Sequence, residues 1–354
     1  MTAEIDSSAR VAYQGEVGAF SEEAAGLLFP DAEPAAFPTF EAVFEALVAG
    51  STGDPGRNAP STATHGDEPD RTLVTAAVIP IENTLFGSVH VNYDLLREHD
   101  VRITGEVYLR IRHNLLVNPR TKLADIRSVL SHPQALGQCR AYLKKHLPDA
   151  EQVSVYDTAG AAKRVSEQVL RDAAAIASAR AAEVYGLEVL ADSIETDHRN
   201  YTRFLLLEPP AEARVTGKRK AKGERGGEAR TSSSGQSSIM NHESSIGSSS
   251  GPARRKTSIV YALAHTAPGS LFETLAVFAD RSVDLLKIES RPLVGDPGSY
   301  LFYLDLDGGE DAANVRSALE ELRNMADLVK VLGSYPRGLW VDGDVSSEQP
   351  RLEK

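Results

Sequence analysis

Apolar positions in the first two-thirds of the chain switch between short continuous runs and helical spacing. The runs Arg10–Gln14, Thr75–Ile81, Val153–Tyr156, Ala174–Ala177 and Arg203–Leu207 predict strands, and 102–117 predicts long paired strands. Helical spacing predicts helices over Ser21–Phe29, Phe40–Ala49, Val91–Glu98, Ala159–Leu170 and Ala179–Tyr185. In the second of these, Phe40, Val43, Phe44 and Leu47 share one face. After Val129-Leu130, Pro133 at a first helical position predicts a helix running to Leu147. Such alternation favours a three-layer α/β architecture. With about 200 residues to place, two α/β lobes around a cleft are expected rather than one sheet.

Beyond position 256 the order changes. Strand Lys256–Ala264 and helix Pro268–Arg281 precede two strands, Asp284–Leu293 and Tyr300–Asp307, joined by a turn at 295–298. A helix over Asp311–Ala326 carries Val315, Leu319, Leu322 and Ala326 at helical spacing, and strand Leu328–Ser334 follows. This βαββαβ order is the ferredoxin-like plan, which names no function by itself.

Composition divides the two parts. The stretch 209–256 has ten Lys+Arg, four Asp+Glu and almost no large apolar residue, and Thr231–Ser250 holds ten serines. Such a segment cannot repay its ordering entropy, so a flexible, solvated linker is expected. Gly50–Arg71, rich in Gly, Pro, Thr and Asp, reads as a surface insertion. The net charge of −12 argues against nucleic acid as a partner, and an anionic substrate would have to be drawn by local groups. No apolar run approaches the roughly 18 residues of a membrane span. Met1–Arg10 lacks the apolar stretch of a secretory signal, and a cytoplasmic protein is expected. The single cysteine, Cys139, excludes a disulfide framework or multi-cysteine metal site and reads as a packing residue beside Leu136 and Leu143. His65, His90, His99 and His113 are scattered without metal-ligand spacing, and no dinucleotide, phosphate-loop or nucleophile-elbow motif occurs.

Three polar constellations remain. Ser21, the pair Ser131-His132 and Thr158 stand at predicted helix starts, where free backbone N–H groups suit carboxylates, although simple capping explains each. Pro80-Ile81-Glu82-Asn83-Thr84-Leu85-Phe86-Gly87 puts polar groups beyond a hydrophobic strand, where open α/β sheets bind ligands. Asp197–Phe204 is the densest polar cluster; in it Arg203 could clamp a carboxylate and Thr202 could offer a hydroxyl to a leaving group.

These pieces resemble prephenate dehydratase and, similarly closely, arogenate dehydratase. The resemblance is carried by Ala12-Tyr13-Gln14-Gly15 through Phe20-Ser21-Glu22, Pro80–Thr84, Ser131-His132-Pro133-Gln134-Ala135-Leu136 and Thr202-Arg203-Phe204. The C-terminal part looks like an ACT domain, with Pro268-Gly269-Ser270-Leu271 and Glu289-Ser290-Arg291-Pro292 resembling its phenylalanine-binding motifs. The resemblance implies a two-lobed, periplasmic-binding-protein-like catalytic domain over 9–208, a linker at 209–255, an ACT domain over 256–338 and a tail at 339–354. It implies decarboxylative dehydration of prephenate to phenylpyruvate, or of arogenate to phenylalanine, with Thr202 at the leaving hydroxyl. Substrate contacts would come from Arg203, Phe204, Asn200, Glu82, Asn83, Thr84, Gly87, Ser21, Ser131, His132 and Gln134. No cofactor or metal is implied. Phenylalanine is the implied effector, and ACT pairing implies a homodimer or homotetramer. Ala19 stands where the family carries a threonine, which removes one hydroxyl. A non-catalytic amino-acid-binding regulator would keep this fold without needing Thr202.

Overall fold

The computed structural model describes residues 10–52, 73–210, 254–263, 268–293 and 298–342. Most of the expected linker and of the 50–71 insertion, together with His65, lies outside the described residues.

In chain order the first part comprises β1 (Arg10–Gln14), α1 (Phe20–Leu28), β2 (Glu33–Phe37), α2 (Phe40–Thr52), β3 (Val74–Asn83), β4 (Gly87–Ser88), α3 (His90–Glu98) and β5 (Arg102–Arg110). Next come β6 (Asn114–Val117), β7 (Ser128–Ser131), α4 (Pro133–Gln138), α5 (Arg140–His146), β8 (Glu151–Ser154), α6 (Thr158–Glu167), β9 (Ala173–Ala177), α7 (Ala179–Tyr185), β10 (Glu188–Ala191) and β11 (Tyr201–Glu208). The last part runs β12 (Arg255–Leu263), α8 (Ser270–Ala279), β13 (Leu285–Pro292), β14 (Tyr300–Asp307), α9 (Ala313–Met325), β15 (Leu328–Pro336) and β16 (Leu339–Val341).

Three sheets result. The first lobe has the order β16-β5-β11-β3-β1-β2, the second β10-β6-β9-β7-β8, and the C-terminal sheet β13-β14-β12-β15. The chain passes between the lobes twice, at 111–113 and at 192–200. The passages are tied together by Ile111 N to Asn200 O (2.8 Å) and Ile194 N to His113 O (2.8 Å). The expectation of paired strands over 102–117 is therefore corrected: β5 and β6 lie in different sheets, because buried Ile111 and His113 carry the chain across the hinge. The helix expected over 133–147 is broken at Cys139, whose buried side chain packs with Leu136 and Leu143. Burial pushes its thiol pKa up, away from nucleophile chemistry.

The C-terminal sheet is covered on both faces. On one, Ile259, Tyr261, Phe302 and Leu304 pack under α8 and α9. On the other, Val260, Ala262, Leu301 and Tyr303 join the core of the first lobe with Ile79, Ile81 and Ile103. Strand alternation makes both faces apolar, so the ferredoxin-like unit serves as a layer against the first lobe. The 339–354 stretch, expected to be a tail, begins with β16, which pairs in parallel with β5 and stacks Trp340 on Tyr108 at 4.4 Å between ring centroids.

One contact in this junction tolerates only glycine. A Cβ on Gly333 would stand 2.1 Å from the carbonyl oxygen of Ile103, a backbone atom that cannot step aside. Gly333→Ala is therefore expected to loosen the docking of the C-terminal sheet at a cost of about 1–3 kcal/mol. An unchanged denaturation midpoint would show that the two backbones separate freely.

Candidate active site between the lobes

A cavity of about 470 Å³ opens between the two lobes. Its first-lobe wall comes from the loop before α1, the β3–β4 turn and β11; its second-lobe wall comes from the starts of α4 and α6. Of the residues expected to touch substrate, Ser21, Asn83, Gly87, His132, Gln134, Thr202 and Phe204 line it.

Thr202 is held by a chain of amides. Asn83 Nδ2 donates to Thr202 Oγ1 (3.0 Å) and to Asn200 Oδ1 (2.8 Å). Asn83 Oδ1 accepts from Leu85 N (2.9 Å) and Phe86 N (3.1 Å). Both hydrogens and both acceptor sites of the Asn83 amide are thus in use, which fixes its orientation. Its bond occupies a lone pair of the Thr202 hydroxyl and leaves the hydroxyl proton for a ligand.

Five expected contacts do not line the cavity, for readable reasons. Neighbours in a strand point to opposite faces. With Thr202 and Phe204 in the cleft, Arg203 points behind the sheet, where it meets Glu106 (Nε to Oε2, 2.7 Å), Asp305 (2.6 Å) and the Tyr335 hydroxyl (3.0 Å). The expected carboxylate clamp is corrected: Arg203 joins the first lobe to the C-terminal sheet. Glu82, beside Asn83, likewise turns away and pairs with Lys287 (3.0 Å). Ser131 is fully buried and donates to Ile176 O (2.6 Å), tying β7 to β9. Asn200 orients Asn83, and Thr84 donates to Arg199 O (2.7 Å) and accepts from Tyr201 N (2.9 Å), closing the loop beside β11.

The helix starts also differ from expectation. Ser21 lies inside α1, whose N-cap Ala19 offers no side-chain bond. The caps are His132, whose Nδ1 accepts from Gln134 N (3.3 Å), and Asp157, which accepts from Gly160 N (2.8 Å) ahead of Thr158. Asp157, Tyr156, Gln14, Gln138 and His113 line the cavity without having been singled out as site residues. His113 is buried, and its Nε2 shares a short contact with Gln138 Oε1. Desolvation lowers the pKa of both His113 and His132; Glu195 and Asp157 respectively oppose this. Both rings are therefore neutral near pH 7. Alternation would have placed Arg203 and Glu82 behind the sheet; nothing local signalled His113, which enters the cleft only through the hinge.

In the C-terminal unit, Gly269 caps α8 in the left-handed region (φ +99°), with Pro268 before it and Ser270-Leu271 opening the helix. Along β13 the side chains alternate. Lys287, Glu289 and Arg291 face the first lobe, while Ile288, Ser290 and Pro292 are exposed. Ser88 Oγ, on the cleft, donates to Glu289 Oε2 (2.6 Å), and Arg291 bonds Asp94 (3.0 Å) and the His90 carbonyl. Two of the eight residues expected to hold phenylalanine, Glu289 and Arg291, are thus engaged by the first lobe.

The model of the family described as prephenate dehydratase matches residues 61–212. The chain is 40% identical to arogenate dehydratase/prephenate dehydratase 2, chloroplastic, of Arabidopsis thaliana over 93% of its own length and 73% of that protein. Among solved structures, prephenate dehydratase of Arthrobacter aurescens in complex with L-Phe aligns with a TM-score of 0.70 at 28% identity, covering 93% of this chain and 90% of that one. A protein described as a novel type of quorum quenching acylase aligns with a TM-score of 0.69 at 27% identity, covering 93% and 98%. The cytoplasmic expectation is overturned here: relatives of this kind are named chloroplastic.

Proposed function

We propose a mechanism for a chain that belongs to the prephenate dehydratase family, a lyase, with its chemistry in the interlobe cavity. The substrate is a cyclohexadiene bearing a carboxylate at one end and a hydroxyl at the other. Loss of the carboxylate as CO₂ pushes an electron pair through the ring. The C4–O bond breaks, one proton is taken up, water leaves and the ring becomes aromatic.

The observation that carries this reading is the Thr202 hydroxyl held in the cavity by Asn83, with its proton available to the leaving oxygen. Accepting from Asn83 polarises that O–H and strengthens its donation. A threonine is too weak an acid to ionise, so it stabilises the departing hydroxide and relays a solvent proton; such help is worth roughly 10²–10⁴ in rate. The carboxylates meet neutral donors: the amides of Gln14, Gln134 and Gln138 and the N–H groups at the start of α1. A cavity that holds the departing carboxylate without a cation stabilises its charge weakly, which favours its loss as neutral CO₂. Purified protein given prephenate and arogenate in parallel tests the reading, with CO₂ release and an aromatic product expected from at least one; release of neither would overturn it.

The C-terminal unit is read as an ACT-type sensor of phenylalanine. The Arthrobacter relative carrying L-Phe supports the effector, and exposed Leu271 and Phe272 on α8 and Leu286 and Ile288 on β13, an edge strand among the described residues, support pairing of two such units. Phenylalanine is expected to raise the melting temperature and lower activity. Gly269→Val, which forces a branched residue to φ +99°, is expected to abolish both while catalysis persists. Titration calorimetry on the full chain checks this; unchanged phenylalanine binding in the variant would remove Gly269 from the sensor.

A further inference from the structure

Asp157 is the one carboxylate among the described residues that line the cleft, and none of them is lysine or arginine. The two histidines there are neutral near pH 7. The formal charge on the cavity wall is therefore negative and rests on one side chain. No ion pair reaches Asp157 among the described residues. Lys163, the cation on its flank, is bound to Glu16 (2.9 Å), whose other oxygen accepts from the Tyr156 hydroxyl (2.7 Å).

Backbone donors hold Asp157 in place. Its Oδ1 accepts from Gly160 N (2.8 Å) and its Oδ2 from Glu16 N (3.1 Å). A carboxylate offers about four acceptor sites, so each oxygen keeps one for a ligand. In a part-buried cavity, where charges interact more strongly than in water, such a group repels an anion or a carbonyl oxygen and attracts a cation.

The two substrates of the dehydratase reading differ in one group. Beside the side-chain carboxylate, prephenate carries a keto oxygen and arogenate an ammonium. Both must bring the ring hydroxyl to Thr202, which belongs to the first lobe. The side chain leaves the opposite end of the ring, and Asp157 stands on the second lobe. We propose that Asp157 is a specificity-determining residue that receives the ammonium of arogenate, so that the cleft selects the amino acid over the keto acid. This assignment rests on the dehydratase reading. A keto oxygen in the same place donates nothing and leaves Asp157 desolvated against a lone pair.

The test is kcat/KM for both substrates in the wild type and in Asp157→Asn, which keeps the side-chain shape and the N-cap. The wild type is expected to prefer arogenate. A charge-assisted bond is worth about ten- to a hundredfold, so Asp157→Asn is expected to lose that much on arogenate, mainly through KM, and less than about threefold on prephenate. Asp157→Glu, which restores the charge, is expected to recover part of the preference. A fall of equal size on both substrates would reduce Asp157 to a helix cap and overturn the assignment. So would a wild type that prefers prephenate, a result that stands even if the variants are insoluble. A wild type inactive on both removes the dehydratase reading and this assignment with it.

Discussion

Thr202→Ala is expected to lower turnover by at least about 10² while the protein stays folded, and Thr202→Ser to retain much more activity. The substitution deletes the hydroxyl that faces the departing oxygen and takes nothing from the hydrophobic core. Asn83 loses one of its four bonds and keeps the other three, to Asn200, Leu85 and Phe86, so the turn survives. Serine restores the donor but not the methyl that limits its rotamers, which is why recovery is incomplete. The loss belongs in kcat more than in KM, because the bond strengthens as charge develops on the leaving oxygen. Circular dichroism confirms folding and initial rates measure the loss; full turnover in the alanine variant would take Thr202 out of the mechanism.

Replacing Glu106 by alanine is expected to cost about 3–5 kcal/mol in stability, the usual penalty for stranding buried charge. Glu106 is almost wholly buried and receives Arg203 at 2.7 Å, Lys256 at 2.9 Å and the amide of Gly338 at 2.9 Å. Without it, two cations from two domains share the single carboxylate of Asp305. Burial alone would raise the pKa of Asp305, but the charges of Arg203 and Lys256 outweigh this and hold it below the ordinary value. A depressed carboxyl stabilises the fold above its unfolded pKa of about 3.9 and loses that contribution as pH falls through its lower folded value. Docking of the C-terminal sheet is therefore expected to weaken in acid, as pH falls below about 4. Denaturant titrations of wild type and variant at pH 7, and of the wild type at about pH 2.5, check the cost and the acid loss; a variant as stable as the wild type would show that these charges are not jointly needed.

The βαββαβ order after position 256 and the alternation before position 208 were legible in the chain, because strand and helix periods are local properties of residues a few positions apart. Thr202, Asn83, His132 and Gln134, which line the interlobe cavity, could be singled out as candidates because short ordered motifs carry the family resemblance. Three things were decided only by the tertiary structure. Arg203 and Glu82 read as substrate contacts when taken as neighbours of Thr202 and Asn83, yet the pleat sends them to the opposite face, where the C-terminal sheet waits with Asp305 and Lys287. His113 reads as an isolated histidine until the hinge delivers it to the cleft. Asp157 reads as the residue before a helix, and its neutral surroundings become visible only when the two lobes close around it. In each case the deciding partner lies a hundred or more residues away, or across a lobe boundary, so no local period records it.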